Sequence, residues 1–478
     1  MIDTNATKRD SPPQRWIMFA ILLVGAFLPP LDFFIVNVAL PDIRDELGIS
    51  PAGQQLIIST YATMYAVMLI TGGRLGDIYG RNRIFFIGLT GFALASTLCG
   101  LATSPWVLII GRALQGLTAA IMAPQALASI QAIFPDAEKP KALGIYGAIF
   151  GLASVVGQVF GGMLISLNIF GLGWRLIFLV NIPIIILVLI FGLPLLQETR
   201  IQHSRRLDFT GVLLSVLTLG CVVIPLIEGR EAGWPLWAWI SLALSPVLAV
   251  VFWRYETRLA ANGGEPLINP SAFQTPGLRT GLVVALLFYS IAAFFLLLSI
   301  YLQGALDETP LTAGLVFLPF GLGFLLGPLS TPIAGRWLGR FVNSVGMTLE
   351  AAGFIALIIL ISGTLPDHPP SGVLLALILF LIGYGQGLAL PTLVKMIISR
   401  VDAGYSGMIS GIINSTLQIS AALSVAIIGG IFFTVLGSRH DVSAISSAFI
   451  AAMLCIAILL ILGAILSFRI VRQEQTKK

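Results

Sequence analysis

Long apolar runs recur along the whole chain and constrain its fold more than any other feature. A helix needs about 20 apolar residues to span a bilayer, and fourteen runs come near that length. Charged residues make up only 10% of the 478 residues, whereas a soluble domain carries roughly 25%. Lipid must therefore cover much of the surface, and we expect an all-α membrane protein. The runs cover residues 16–38, 54–73, 84–103, 106–132, 141–166, 175–196, 209–227, 236–253, 280–302, 312–333, 343–362, 373–397, 406–435 and 444–468.

The positions of the basic residues indicate how these runs cross the membrane. With both termini in the cytoplasm, 22 of the 27 Lys and Arg residues fall in cytoplasmic segments and four fall outside. The remaining one, Arg112, lies within the fourth run. Because positively charged loops stay in the cytoplasm, this split predicts fourteen crossings with cytoplasmic termini. The first run starts at Trp16 and exceeds a signal-peptide core of roughly 7–15 residues, so we expect a retained first helix.

A net charge of +5 raises the question of whether the protein binds nucleic acid. The basic residues occur in short clusters between apolar runs, without a nucleic-acid-binding motif, so we expect no nucleic-acid partner. The sequence has no HExxH, P-loop or GxSxG pattern and no cluster of His, Cys and carboxylates, so we expect neither an enzyme nor a metal or cofactor site. Cys99, Cys221 and Cys455 fall in apolar runs and are predicted to pack as small apolar side chains.

Two pairs of similar segments indicate an internal duplication. "LQGLTAAIMAP" (114–124) in the fourth run is similar to "GQGLALP" (385–391) in the twelfth, and "GIYGAIFG" (144–151) in the fifth to "GMISGIIN" (407–414) in the thirteenth. The offset of eight runs predicts two six-helix bundles with two inserted helices between them, an arrangement in which transporters bind substrate near the midplane. The predicted parts are residues 1–200 (first bundle), 201–254 (inserted helices), 255–279 (cytoplasmic linker) and 280–478 (second bundle).

Three ionisable residues inside apolar runs are candidates for proton coupling. Asp32 stands six residues from the outer end of the first run, and Arg112 six residues from the start of the fourth. At about 1.5 Å per residue, both lie roughly 9 Å below the outer surface. Arg favours an ionised Asp whereas desolvation favours the neutral acid, so opening a cavity to either side would move a proton. Glu350 lies roughly 10 Å from the cytoplasmic surface and is a second proton site, a cation contact, or the partner of Lys395 or Arg400.

The connection "GGRLGDIYGRNR" (72–83) between the second and third runs combines glycines with charged residues. The glycines permit a tight turn and a close approach of helices, and the acid can pair with one of the arginines. Such a charged connection can hold one conformation closed on the cytoplasmic side. The residues of this predicted conformational latch are Gly73, Asp77, Gly80 and Arg81.

Five amide side chains inside apolar runs are candidates for the lining of a polar cavity. For each of them a hydrogen bond between helices is the alternative, because amides often join membrane helices. They are Gln115, Gln125, Gln158, Asn414 and Gln418.

These segments resemble motifs of a known transporter family. "GGRLGDIYGRNR" is similar to the loop 2–3 motif of the major facilitator superfamily, and "LDFFIVNVALP" (31–41) to the first-helix motif of its drug/proton antiporters. "RALQGLTAA" (112–120) resembles the fourth-helix motif. "WRLIFLVNIP" (174–183) and "YLQGALDETPLTAGLVFLP" (301–319) resemble the fourteen-helix class of that family.

The resemblance implies a proton-coupled antiporter that exports amphipathic or cationic small molecules by alternating access. Its implied partners are a small-molecule substrate, protons and the lipid bilayer. It further implies a monomer in the bacterial inner membrane, which an accessory periplasmic adaptor can join. In this interpretation Asp32, Arg112 and Glu350 carry the proton coupling.

One position departs from the pattern of the family. The fifth-helix motif of its antiporters carries Gly-Pro before a Gly-Gly pair, whereas this chain reads "GQVFGG" (157–162), with Gln158 in the place of the proline. The kink that proline imposes is not guaranteed here, so the direction of transport stays open. The alternatives are an exporter dedicated to one metabolite or siderophore, and a proton-coupled importer or symporter of the same fold. A membrane enzyme or a channel is a third alternative.

Overall fold

The computed structural model describes residues 12–135, 138–196, 208–264, 266–268, 270, 273, 277–363, 370–398, 406–439 and 441–475. Across these residues the chain forms α-helices and short 3₁₀ turns. In chain order the helices are α1 (Pro12–Leu47), α2 (Pro51–Tyr79), α3 (Arg81–Gly100), α4 (Pro105–Ile133), α5 (Lys139–Leu167), α6 (Leu176–Leu179), α7 (Asn181–Leu195), α8 (Phe209–Glu231), α9 (Leu236–Ala261), α10 (Leu278–Phe288), α11 (Ala292–Gly304), α12 (Pro310–Val316), α13 (Leu318–Leu338), α14 (Val342–Ser362), α15 (Gly372–Ile398), α16 (Ser406–Leu436) and α17 (Val442–Gln475).

The helices follow the predicted apolar runs but differ from them at ends and breaks. α1 continues to Leu47, beyond the predicted end at residue 38, because the polar residues that follow include good helix formers. The predicted run 280–302 is divided by a 3₁₀ turn at Tyr289–Ile291, where the Ser290 hydroxyl donates to a backbone carbonyl at 2.7 Å and so competes with the helix ladder. The run 312–333 is divided before α13, whose first turn holds a proline that has no N–H to donate.

Eleven helical segments within the described ranges are long and apolar enough to cross a membrane. One of them, Pro310–Ser362, contains two of the predicted runs, whereas α2 is not in this set and α5 contributes only a shorter apolar helix. The chain is thus an all-helical, multi-pass membrane protein.

α1–α7 pack into one group of helices, called here the first group. α4 lies against α2 and α3, and α1 lies against α5. A Cβ on Gly116 of α4 would lie 2.3 Å from the carbonyl oxygen of Tyr61, and a Cβ on Gly72 of α2 would lie 2.1 Å from that of Ala120. Because no side chain fits at these distances, α2 and α4 pack backbone against backbone.

α10–α17 form the second group, which uses the same close packing. α15 lies against α13 and α14, and α17 lies against α14 and α16. A Cβ on Gly323 of α13 would lie 2.2 Å from the carbonyl oxygen of Phe380 in α15. α8 and α9 pack against each other, and α8 contacts α2 of the first group and α16 of the second.

The two groups meet at the end of the molecule where α1 ends and α2 begins, called here the α1–α2 end. A Cβ on Gly162 of α5 would lie 2.3 Å from the carbonyl oxygen of Pro310, and a Cβ on Gly314 of α12 would lie 2.4 Å from that of Gln158. α16 packs along α2, and a Cβ on Gly429 of α16 would lie 3.0 Å from Gln55 Oε1 near the start of α2. The described conformation is therefore closed at the α1–α2 end.

Candidate functional site

A buried polar site lies inside the first group, where α1, α4 and α7 each turn a polar side chain inward. Pro29 and Pro30 precede Asp32 within α1 and remove two backbone donors from the helix at that point. Arg112 lies inside the apolar helix α4, and Asn181 is the first residue of α7. The three polar groups meet each other and are thereby kept out of lipid.

Asp32 and Arg112, which the sequence predicts at one depth, form a direct ion pair with both side chains fully buried. Arg112 Nη1 donates to Asp32 Oδ2. Asp32 Oδ1 accepts hydrogen bonds from Gln115 Nε2 at 3.1 Å and from Asn181 Nδ2 at 3.2 Å. These donors stabilise the negative charge, whereas burial favours the neutral acid.

The backbone and an aromatic ring also hold the Arg112 guanidinium. Nε donates to the Ile57 carbonyl at 3.0 Å, and Nη1 donates to Gln115 Oε1 at 2.9 Å. The guanidinium carbon lies 4.3 Å from the centre of the Tyr61 ring, a cation–π distance. The Tyr61 hydroxyl in turn donates to the Pro29 carbonyl at 2.9 Å. Arg112 Nη2 is buried without a hydrogen-bond partner among the described residues, so the guanidinium keeps one group of donors that a further ligand can use.

The network can hold Asp32 in either protonation state. A proton on Oδ2 would displace Arg112 Nη1, while Oδ1 would still accept from Gln115 and Asn181. Arg112 would then keep the Ile57 carbonyl, Gln115 Oε1 and the Tyr61 ring as partners of its charge.

Ser96, Asn181 and Tyr61 belong to this site, although no sequence pattern singles them out. Ser96 Oγ accepts hydrogen bonds from Gln115 Nε2 at 2.8 Å and from Asn181 Nδ2 at 3.3 Å. Asn181 is a polar residue inside an apolar run, and that polarity was the available signal. Ser and Tyr are too common in membrane helices to carry such a signal.

Glu350, the third residue predicted for coupling, lies apart from this network in α14. It is fully buried, and neither carboxyl oxygen has a hydrogen-bond partner among the described residues. Its backbone lies against α15, where a Cβ on Gly385 would lie 2.6 Å from the Glu350 nitrogen. The alternative that Glu350 pairs with Lys395 is therefore wrong for this conformation, and Arg400 lies outside the described residues.

The predicted latch lies at the connection between α2 and α3. Gly80 separates the two helices with a φ of 103°, a conformation that favours glycine. Arg81 Nη1 donates to a backbone carbonyl of α4 at 3.1 Å and ties α3 to that helix. Gly73 of α2 faces Pro124, whose side chain would be in ordinary contact with an added Cβ at 3.8 Å. The side chain of Asp77 lies outside the described part of the chain.

The five predicted cavity amides occupy different surroundings. Gln115 is fully buried in the network, and Gln125 Nε2 donates to a backbone carbonyl of α2 at 2.5 Å, so in this conformation these two bridge helices and do not line an open cavity. Gln158 is fully buried where α5 meets α12, and neither amide atom has a hydrogen-bond partner within the part of the chain that the structure describes. Asn414 is exposed, and Gln418 is half-buried. Across the described residues no group of three or more His, Cys, Asp or Glu side chains could hold a metal ion.

Comparison with known proteins identifies first the class of this protein and then its family. The sequence profile of the Major Facilitator Superfamily matches residues 22–425, a range that reaches from α1 into α16. The chain is accordingly a multi-pass membrane transporter, not an enzyme, and it belongs to the Major Facilitator Superfamily.

Individual relatives and a solved structure resemble the chain over most of its length. The "Probable actinorhodin transporter" of Streptomyces coelicolor is 34% identical over 447 residues, which cover 92% of this chain and 76% of the relative. The "Puromycin resistance protein pur8" of Streptomyces alboniger is 37% identical over 424 residues, which cover 87% and 81%. The crystal structure of a bacterial homologue of the human lysosomal transporter Spinster, inward-facing and unoccupied, has a TM-score of 0.69 at 16% identity and covers 97% of this chain and 98% of its own. At that identity the structure shows the shared fold alone.

Proposed function

We propose that the protein is a proton-coupled exporter of amphipathic or cationic small molecules, a multidrug-type antiporter that works by alternating access. The names of the relatives support export, since one is a probable transporter and another a resistance protein. The observation that carries proton coupling is the fully buried pair of Asp32 and Arg112, because an ionisable group inside a membrane bundle usually serves transport.

The proposed topology has fourteen crossings, with residues 1–200 and 280–478 as two six-helix bundles. Residues 201–254 are the inserted helices, and residues 255–279 are the cytoplasmic linker. The 22 basic residues on one side support cytoplasmic termini. The bacterial relatives support the plasma membrane as the location, and the bacterial inner membrane is the finer proposal. The transporter is a monomer in this proposal, with a periplasmic adaptor as an optional partner.

In this orientation the α1–α2 end faces outward, so the described conformation is closed to the outside. It represents the state that has released its proton inward, because Asp32 is paired with Arg112. Substrate then enters from the cytoplasm and the two groups rock. Once the site opens outward, a proton binds Asp32 and releases Arg112, and the change in charge drives the return. The charged connection between α2 and α3, with Gly73, Asp77, Gly80 and Arg81, is the latch that holds the cytoplasmic side closed in the outward-open state.

Glu350 is the second proton-binding acid in this proposal. An ionised carboxylate without a partner costs several kcal/mol inside a bilayer. Its two unpartnered oxygens therefore fit a neutral acid in the described conformation. Gln158, Asn414 and Gln418 are the amides that meet the substrate when the cavity opens, while Gln115 and Gln125 support the helices behind them.

The decisive experiment compares Asp32→Asn with wild type in proteoliposomes under an imposed pH gradient, with ethidium as a first cationic probe. Asn retains the shape of the side chain but binds no proton. Uphill ethidium transport and the accompanying proton flux should therefore disappear, while downhill exchange persists. Asp441→Asn is the matched control, because Asp441 is an exposed helix cap outside the site and Asn caps equally well. Uphill transport retained in Asp32→Asn would contradict the coupling role.

A second candidate is an exporter dedicated to one compound, which the name of the actinorhodin transporter favours. The same vesicles separate the two candidates with a panel of unrelated cationic and neutral compounds. Transport of several structurally unrelated cations supports the multidrug exporter, and transport of a single compound supports the dedicated one. Accumulation in the opposite direction would instead indicate an importer.

A further inference from the structure

The segment that joins α9 to α10 is fastened through its backbone to three ionisable side chains. In the tripeptide 266–268, the Leu267 N–H donates to Asp208 Oδ2 at 3.2 Å and the Ile268 N–H donates to Glu256 Oε2 at 2.7 Å. The first carbonyl accepts a hydrogen bond from Arg74 Nη2. Arg74 belongs to α2, Asp208 precedes α8, and Glu256 belongs to α9, so three parts of the fold hold one short piece of chain. These three side chains are called the clasp.

Asp208 is the ionised member of the clasp. Its Oδ1 accepts from the Gly211 nitrogen at 2.8 Å and from the Tyr255 hydroxyl at 2.9 Å. Burial raises the pKa of Asp208, but hydrogen bonds from Glu256, Gly211, Tyr255 and Leu267 outweigh it and bring the pKa below the usual value for Asp.

Glu256 is placed to share a proton with Asp208. It is fully buried, and its Oε1 accepts no hydrogen bond from any residue in the described ranges. A Cβ on Gly211 would lie 2.3 Å from Asp208 Oδ2 and 2.4 Å from Glu256 Oε1, so the two oxygens border the same point, and only glycine leaves room for them. Two ionised carboxylates at such a short separation repel each other. A proton on Glu256 Oε1 that is donated to Asp208 Oδ2 removes the repulsion.

We propose that the proton shared by Asp208 and Glu256 closes the clasp and makes it a pH-sensitive lock on the segment between α9 and α10. The other charged or titratable groups that face the pair are Arg74 of α2 and Tyr255 of α9, while the first turn of α8 adds no acid and the tripeptide has no ionisable side chain. As the pH rises, the shared proton leaves, the carboxylates repel, and the two N–H groups are released.

The lock acts on the connection to the second group. Beyond the clasp, α10 begins after Gly277, whose φ of 83° gives the backbone a turn that favours glycine. A closed clasp holds residues 266–268 against α2 and α8, and an open clasp lets α10 move more freely relative to them. This inference does not depend on drug export or on Asp32.

Hydrogen exchange of the full-length protein in lipid nanodiscs reads the clasp directly, because the amides of Leu267 and Ile268 are its donors. Protection corrected for intrinsic exchange is expected to fall about tenfold or more in the wild type between roughly pH 6 and roughly pH 9. Glu256→Gln should stay protected throughout, since the amide N–H₂ donates to Asp208 without a titrating proton and its oxygen still accepts from Ile268. Asp208→Asn should leave the Leu267 amide unprotected at every pH, because an Nδ2 in the place of Oδ2 cannot accept its hydrogen bond. The pH dependence at the Ile268 amide should disappear, because a neutral Asn does not repel Glu256.

Asp441→Asn is the control for these variants and should follow the wild-type profile, because it removes an acid remote from the clasp. Corrected protection that does not vary with pH in the wild type would overturn the proposal. So would a Glu256→Gln profile that matches the wild type. If Glu256→Gln does not fold, the wild-type profile alone decides.

Discussion

At the scale of residues, apolar surroundings make single charges informative. Asp32 and Arg112 were predicted to share a depth because each lies six residues inside its run, and their ion pair confirms that they meet. The depth of a residue in the membrane does not specify the face of the helix on which its side chain lies. That face decides which other residues the side chain contacts. Ser96 could not be predicted for this reason, and the only signal for Asn181 was its polarity inside an apolar run. The role of Asp32 and Arg112 in proton coupling remains a prediction.

Replacing Arg112 separates its charge from its geometry. Arg112→Lys keeps the positive charge but cannot donate at once to Asp32, Gln115 and the Ile57 carbonyl. We expect it to retain measurable uphill transport, reduced by about 10- to 100-fold for a loss of about 1.4–2.8 kcal/mol. Arg112→Ala leaves Asp32 unpaired, which costs about 3–5 kcal/mol, so transport and thermal stability should both collapse.

A double variant distinguishes folding from coupling. In Arg112→Ala with Asp32→Asn no uncompensated charge remains, so the apparent Tm should recover while uphill transport stays absent. Near-normal transport in both Arg112→Lys and Arg112→Ala would remove Arg112 from the mechanism.

At the scale of elements, the predicted runs overlap the helices but miss their ends. Apolarity marks the part of a helix that lies within the bilayer, whereas the backbone hydrogen bonds of α1 and α17 continue into polar sequence. The break between α10 and α11 lies at Tyr289–Ile291 inside a continuous apolar run, so periodicity does not report it. Glycines were predicted to allow close packing, but which of them face a backbone is a property of the assembled helices.

Gly116 and Gly335 form a matched pair for testing close packing between helices. A Cβ on Gly116 would lie 2.3 Å from a backbone carbonyl, whereas one on Gly335 in α13 would meet nothing within 4 Å. Gly116→Ala should destabilise the protein by about 1–3 kcal/mol through overpacking. Gly335→Ala should be neutral or stabilising by up to about 1 kcal/mol, because Ala is the better helix former. Thermal unfolding in detergent measures the stability of both variants. Equal Tm values would show that α2 and α4 can move apart without a cost in free energy.

At the scale of the whole molecule, weak internal repeats predicted two bundles, and the structure places two groups of helices against each other at one end. Which end is closed could not be predicted, because one sequence must encode both states of an alternating-access cycle. The closed end brings Gly314 against the Gln158 carbonyl and buries the Gln158 amide without partners. A buried amide without hydrogen-bond partners destabilises the state that buries it. This contact therefore makes the closed end easier to reopen.

Gly314→Leu should therefore move the whole molecule away from the described state. Its side chain would meet the Gln158 carbonyl, since a Cβ alone would already lie 2.4 Å away. Overpacking of about 1–3 kcal/mol shifts a two-state balance by about 5- to 150-fold. Gly430→Leu is the control, because a Cβ on Gly430 of α16 meets nothing within 4 Å.

Spin labels at Leu167→Cys in the first group and Ser443→Cys in the second report the separation at the α1–α2 end. The native cysteines Cys99, Cys221 and Cys455 are replaced by alanine in this background. Gly314→Leu should add or enlarge a population at longer distance, and Gly430→Leu should reproduce the parent distribution. If Gly314→Leu left the distribution unchanged while the protein stayed folded, the contact of α5 with α12 would not be what closes this end. The two groups would then be held together by α2 and α16, and the unpartnered amide of Gln158 would have no part in the balance between the states.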